Sequence, residues 1–300
     1  MEQAIGSAGR QGPLWRRVVD FPLVAMLIAM LLFIYTTKAG LYLGKLVPPI
    51  RQPGTAAAHA AINIALVLAV YKIAITRLGE RPRDDLRAHD VLKNLGLGLL
   101  AGALLFSAVV AVAAALGVYR ITGEGDASRF VLQLITAGLM PGFMEELAVR
   151  GIVFRWLEEF AGSWAALVIT SALFGLMHMS NPSATWFSSF AIAVEAGILL
   201  GGAYMLTRSL WLPMGLHAAW NVTQGAVFDI PVSGNPAQGV VEAKLTGPAL
   251  LSGGGFGLEA SVIALVIATA AGLWFVWRAV DRGELVQPWW VRRREHVAAA

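Results

Sequence analysis

Four polar clusters interrupt otherwise apolar stretches of this chain, and each carries groups able to move a proton or stabilise a charge. The first is Met144-Glu145-Glu146-Leu147-Ala148-Val149-Arg150-Gly151. Adjacent helical residues point about 100° apart, so the two carboxylates do not share a face. Glu146 and Arg150 stand i,i+4 in the favourable order and are expected to pair, which keeps Glu146 ionised. Glu145 has no local partner and is the candidate general base. The plainer alternative is a buried structural cluster of all three. The second cluster is Phe174-Gly175-Leu176-Met177-His178, with Phe174 and His178 on one face. The third is His217-Ala218-Ala219-Trp220-Asn221. Its spacing puts an imidazole and a carboxamide side by side, and both can donate to one developing negative charge. Its plainer reading is polar contact between helices. The fourth group is weaker. His59 and Asn63 repeat the H-x-x-x-N spacing and read as helix contacts. Glu195 is an isolated carboxylate, expected to line a cavity or pair with Arg150.

These groups need apolar elements to hold them. Of 300 residues, 57% are hydrophobic and 14% charged, and the mean hydropathy is +0.66. Soluble domains carry about 25% charged residues, so a polar surface cannot be built from this composition. Disorder and a nucleic-acid partner are excluded as main readings. With no cysteine, disulfides, Cys-zinc sites and thiol nucleophiles are excluded too. The fold class expected is all-α, a polytopic membrane helix bundle of about eight transmembrane helices. The candidate spans are Phe21–Thr37, Ala56–Thr76, Leu95–Val118, Phe130–Val149, Trp164–Met179, Trp186–Leu206, Leu210–Phe228 and Leu258–Val280. The first is expected to be an uncleaved span rather than a signal peptide. Residues 229–257, rich in Gly and Pro, read as a long outer loop, flexible or folded back over the bundle.

Alternating the spans puts 17 Lys and Arg on one side and 6 on the other. The basic side faces the cytoplasm by the positive-inside rule, with both termini there. Gln287-Pro-Trp-Trp-Val-Arg-Arg-Arg-Glu295 reads as an interfacial anchor. Glu145 and His178 each lie about 16 residues from a turn expected at Ala161–Gly162, roughly 24 Å of helix on either side. An antiparallel pair would bring them level, provided the Glu145 helix continues to Phe160. His217 lies about 10 Å below the inner face by the same rise, which suggests cytoplasmic access.

E-E-x-x-x-R, then F-x-x-x-H, then H-x-x-x-N, in this order and within apolar helices, resembles the CPBP intramembrane proteases. That family includes the type II CAAX prenyl endopeptidases and the bacteriocin-processing, Abi-like homologues. The similarity covers about residues 127–265, and Gly253-Gly-Gly-Phe-Gly-Leu-Glu-Ala-Ser261 also looks like a family feature. Residues 1–126 would be an N-terminal three-helix portion, 127–280 the protease core and 281–300 a basic aromatic cytoplasmic tail.

The resemblance implies a water-accessible intramembrane cavity. By motif position, Glu145 and His178 would activate water, His217 and Asn221 would form an oxyanion hole, and Glu146 and Arg150 would hold or tune Glu145. The expected activity is endopeptidase cleavage of a membrane-associated protein or peptide, of CAAX type or in precursor processing. No cofactor is favoured. The alternative is zinc on Glu145, His178 and His217, with an open position for water. The expected partners are the lipid bilayer and a protein or peptide substrate, lipidated or not, in the inner membrane of a bacterium. Two rival classes are a non-catalytic immunity or scaffold protein and a transporter. The latter lacks an internal repeat.

Overall fold

The computed structural model describes residues 13–79 and 82–298, with side chains to 294. Arg10 and Arg81 of the basic count lie outside the described residues. Six helical segments are long and apolar enough to cross a membrane: α1 (Pro22–Gly44), α2 (Pro53–Arg77), α3 (Ala88–Ala115), α5 (Ser163–Ser180), α6 (Trp186–Thr207) and α8 (Val262–Asp281). Two more predicted spans are helical but interrupted. α4 (130–161) alternates α-helix with π-helix at Leu134–Leu139 and Leu147–Phe154, and α7 (211–227) ends in a π-turn at Thr223–Val227. Of the eight spans expected, six are long and apolar enough to cross a membrane among the described residues, and the other two are helical regions broken by π segments. The chain is an integral, multi-pass membrane protein.

Local signals place the ends. Pro22 and Pro53 sit in the first turns of α1 and α2, where a missing N–H costs nothing. Thr185 and Ser188 cap α6 reciprocally, each hydroxyl accepting the other's backbone N–H at 3.0 and 2.7 Å. α4 runs through to Ala161, and Gly162, at φ 86°, reverses the chain into α5. The extension and turn expected from the sequence are both present.

Lipid, not water, selects the outer surface. Leu31, Leu104, Val168 and Val266 are exposed, as lipid-facing side chains are. α6 is the central element: 67% of its apolar window is buried, against 17% for α1. Since lipid tails remove the hydrophobic drive between helices, close backbone approach must supply the packing. Gly98 and Gly102 of α3 lie against the backbone of α7 at Leu212 and Leu216, and Gly272 of α8 lies against Leu199 of α6.

Buried ion pairs tie together the basic end. Asp85 forms an ion pair with Arg83 at 3.1 Å and accepts from the Tyr204 hydroxyl at 3.0 Å, while Arg208 donates to Glu158 at 2.6 Å. These contacts join the α2–α3 connection to α4 and α6. The opposite end holds a feature the all-helical expectation did not include. Residues 229–257 fold back as predicted, but β2 (Val241–Leu245) pairs antiparallel with β1 (Tyr119–Glu124), Tyr119 opposite Leu245. Tyr119 donates to the Phe228 carbonyl at 3.1 Å. Burial, with the Asp229 carboxylate nearby, pushes that phenol up to about 12, so it remains a donor at neutral pH.

A Cβ on Gly102 would overlap the Leu216 carbonyl, whereas Gly54 faces open space. Gly102→Val is therefore expected to cost about 1–3 kcal/mol and lower the unfolding temperature in detergent. Gly54→Ala should leave that temperature unchanged or slightly raised.

Candidate active site

The site begins with a proline. Pro141 has no N–H to offer the carbonyl four residues back, that of Ala137, and its ring crowds it. The helix widens there into the π segment Leu134–Leu139. Asn221 on α7 takes up the orphaned group: its Nδ2 donates to the Ala137 carbonyl at 2.9 Å. One carboxamide hydrogen is thereby spent on positioning, and the other is left for a ligand.

One helical turn further along α4, Glu146 and Arg150 are each 0% exposed. Glu146 Oε1 accepts from Arg150 at 2.9 Å and lies 2.9 Å from Nδ1 of His217. The expected pair is present. It also holds His217, on another helix, and the Glu145 charge acts on Arg150. Arg150 also donates to the Ala196 carbonyl at 3.2 Å; Glu195, expected to line a cavity or pair with Arg150, lines the cavity.

His178 is anchored by the end of its own helix. Its Nδ1 lies 2.8 Å from the Phe174 carbonyl, one of the last-turn carbonyls that α5 leaves without a helical partner. A carbonyl can only accept, so Nδ1 carries the proton and the neutral ring presents a bare Nε2. The same reasoning applies to His217 against the ionised Glu146. In neutral form its Nε2 is an acceptor; only the imidazolium donates from both nitrogens.

Phe174 does more than share a face with His178. Arg150 stacks 4.5 Å from its ring centroid, His178 lies at 4.8 Å and His217 at 6.1 Å. This central packing role was not read from the sequence; its only signal was the i,i+4 spacing to His178.

His178, His217 and Asn221 line one narrow cavity of about 30 Å³. Glu195, Ser233 and Glu259 line it as well. Glu145 does not. It is half-buried beside the cavity, one carboxylate oxygen is buried without a hydrogen-bond partner, and its charge acts on both His178 and His217. Among the described residues, no three His, Asp or Glu side chains are grouped as metal ligands. His59 and Asn63 lie away from the site, packed between α1 and α2 against Gly44 and Gly40.

Alongside the cavity, Leu216 of α7 lies against Gly98 and Gly102 of α3. One end of the cavity is closed by Ser233 and Glu259 of the folded-back segment. Gly257, at φ 115°, makes that closure fit: a Cβ there would overlap the Pro231 carbonyl.

Fold and site together define a polytopic membrane protein with buried Glu, Arg, His and Asn groups around an intramembrane cavity. Residues 127–223 match the family described as "Type II CAAX prenyl endopeptidase Rce1-like", which bears out the resemblance read from the three motifs. The chain is also similar to "Putative membrane peptidase YdiL" of Bacillus subtilis (strain 168). The two are 24% identical over 207 residues, 65% of this chain and 80% of the relative. No solved structure matches. Both similarities point to one class, a membrane peptidase.

Removing one partner of a buried ion pair typically costs about 3–5 kcal/mol. Glu146→Ala is expected to lose stability on that scale in detergent unfolding. Glu146→Gln combined with Arg150→Met should recover part of it. Pro141→Ala restores an N–H to the helix and should release Asn221 from Ala137, visible as a changed side-chain amide resonance of Asn221.

Proposed function

We propose that the chain is an intramembrane endopeptidase that hydrolyses a peptide bond of a membrane-associated protein or peptide without a covalent intermediate. The observation that carries this reading is the convergence of His178, His217 and Asn221 on one buried cavity, with the Glu146–Arg150 pair holding His217 from behind.

Glu145 takes a proton from water, and the bare Nε2 of His178 orients that water by accepting its other hydrogen. The hydroxide adds to the scissile carbonyl. His217, protonated and paired with Glu146, donates to the oxyanion through Nε2, and Asn221 donates through its remaining N–H. Collapse breaks the C–N bond, and the proton held by Glu145 passes to the leaving amine. Water and peptide are thus converted to an acid and an amine, with no oxidant or metal in any step. That the base carries no hydrogen bond before substrate arrives accords with the loose geometry usual in unliganded sites. The basic end of the bundle faces the cytoplasm of a bacterial inner membrane in this proposal.

New protein N-termini in membranes carrying the wild-type chain are expected to vanish with Glu145→Gln at equal expression. Persistence of the same termini with that variant rejects the general-base role. Complementation by Glu145→Ala would favour the scaffold reading instead. For a substrate so identified, Asn221→Ala should lower kcat by about 100–1,000-fold, the usual cost of one oxyanion donor, with KM little changed. Chelator should leave cleavage intact; loss restored by added zinc would reverse the metal-free assignment.

A further inference from the structure

The proposed hydrolysis leaves two carboxyl groups of the same cavity without a task. Glu195 of α6 is 1% exposed and lines the cavity, and one of its oxygens is buried with no hydrogen-bond partner. Glu259 comes from the turn Leu258–Ala260 ahead of α8, is 3% exposed, and lines the same cavity. Its charge is the one that acts on Glu195.

Glu259 is built into place. Its Oε1 accepts the backbone N–H of Ser233, a residue held at φ 49°, in the left-handed region that non-glycine residues seldom occupy. Burial pushes the Glu259 carboxyl up to about 7, against the hydrogen bond from Ser233 and the nearby His217.

An unpaired buried carboxylate is costly unless it meets a proton or a cation. The His217 imidazolium near Glu259 is already paired with Glu146, and no Lys or Arg lines the cavity. Arg150 is committed to Glu146 and Ala196, and His217 to Glu146. His178 is tethered to the Phe174 carbonyl. The walls beside the acids are apolar, with Ile192, Leu199 and Ala268 among them. Apolar walls with an acidic end match a long aliphatic stem bearing a positive head. A bare metal ion would make no use of those walls.

We infer that Glu195 and Glu259 form the subsite that receives a lysine or arginine side chain of the substrate, within two residues of the scissile bond. The inference rests on the peptidase reading for its position along the substrate, because the carboxyls share one cavity with His178, His217 and Asn221. Glu195 and Glu259 are specificity residues here, not catalytic ones.

The test uses the purified full chain in detergent with a pooled library of membrane-tethered peptides randomised over six positions. New termini are read by mass spectrometry. The wild type is expected to enrich Lys or Arg roughly tenfold or more over Gln and Leu at one position near the cut, since a site built for a polar group rejects analogues lacking it. Glu195→Gln should bring that ratio close to one, Glu259→Gln should lower it, and Glu195→Lys should shift it toward Asp and Glu. Absence of a basic preference in wild type overturns the inference. So does a preference that a folded Glu195→Gln chain retains.

A second arm separates this inference from the peptidase reading. The same library is retained on immobilised Glu145→Gln chain. Selective retention of Lys and Arg peptides, lost on adding Glu195→Gln, supports the subsite even if wild type cleaves nothing. Equal retention of basic and neutral peptides overturns it.

Discussion

One carboxylate oxygen, Oε1 of Glu146, organises the site. It is shared by Arg150, one turn away on the same helix, and His217, 71 residues later on another. An ionised carboxylate in this environment is tolerable only while it is paired and hydrogen-bonded. Both partners must be in place at once, so α4 and α7 are held in one register. The guanidinium in turn lies over Phe174, whose ring also touches both histidines. A single buried charge pair thus positions residues from α4, α5 and α7 around one small volume. Its energetic contribution to stability need not be favourable overall; what it secures is that one arrangement avoids an unpaired charge and its competitors do not.

The irregularities of α4 belong to the same economy of polar groups. Pro141 frees the Ala137 carbonyl, and a freed carbonyl at this depth must find a donor. Asn221 is that donor, so the break in one helix orients a side chain on the next. The end of α5 does the same for His178 through Phe174. In both cases a backbone group that helical geometry leaves over fixes the orientation of a candidate catalytic side chain. π-turns recur at functional sites in helices, and here the first has a local cause in the proline. The second, Leu147–Phe154, carries Arg150 and has no comparable local cause.

The cavity is bounded by two kinds of structure. Its sides are transmembrane helices packed through glycines. Its far end is a loop segment that returns over the bundle, pairs β2 with β1 and inserts Ser233 and Glu259. The positive-φ glycines of that segment, Gly234 and Gly257, lie against the carbonyls of Pro182 and Pro231, where no side chain fits. The Gly-rich stretch is thus a fitted closure. It also brings a second carboxyl, Glu259, into a cavity that already holds Glu195.

Much of this was legible in order along the chain, because its causes are local. Hydrophobic content dictated a membrane bundle. Helical spacing put Glu146 beside Arg150, His178 beside Phe174 and His217 beside Asn221, and Gly162 marked the turn that levels Glu145 with His178. Contacts between elements were a different matter. Nothing in a spacing rule links Glu146 to His217, Asn221 to Ala137, Tyr119 to Leu245 or Glu259 to Glu195, since each joins segments far apart in the chain. Periodicity tells which face a residue occupies, but the partner that face meets is set by how the helices pack, and that is a property of the whole bundle.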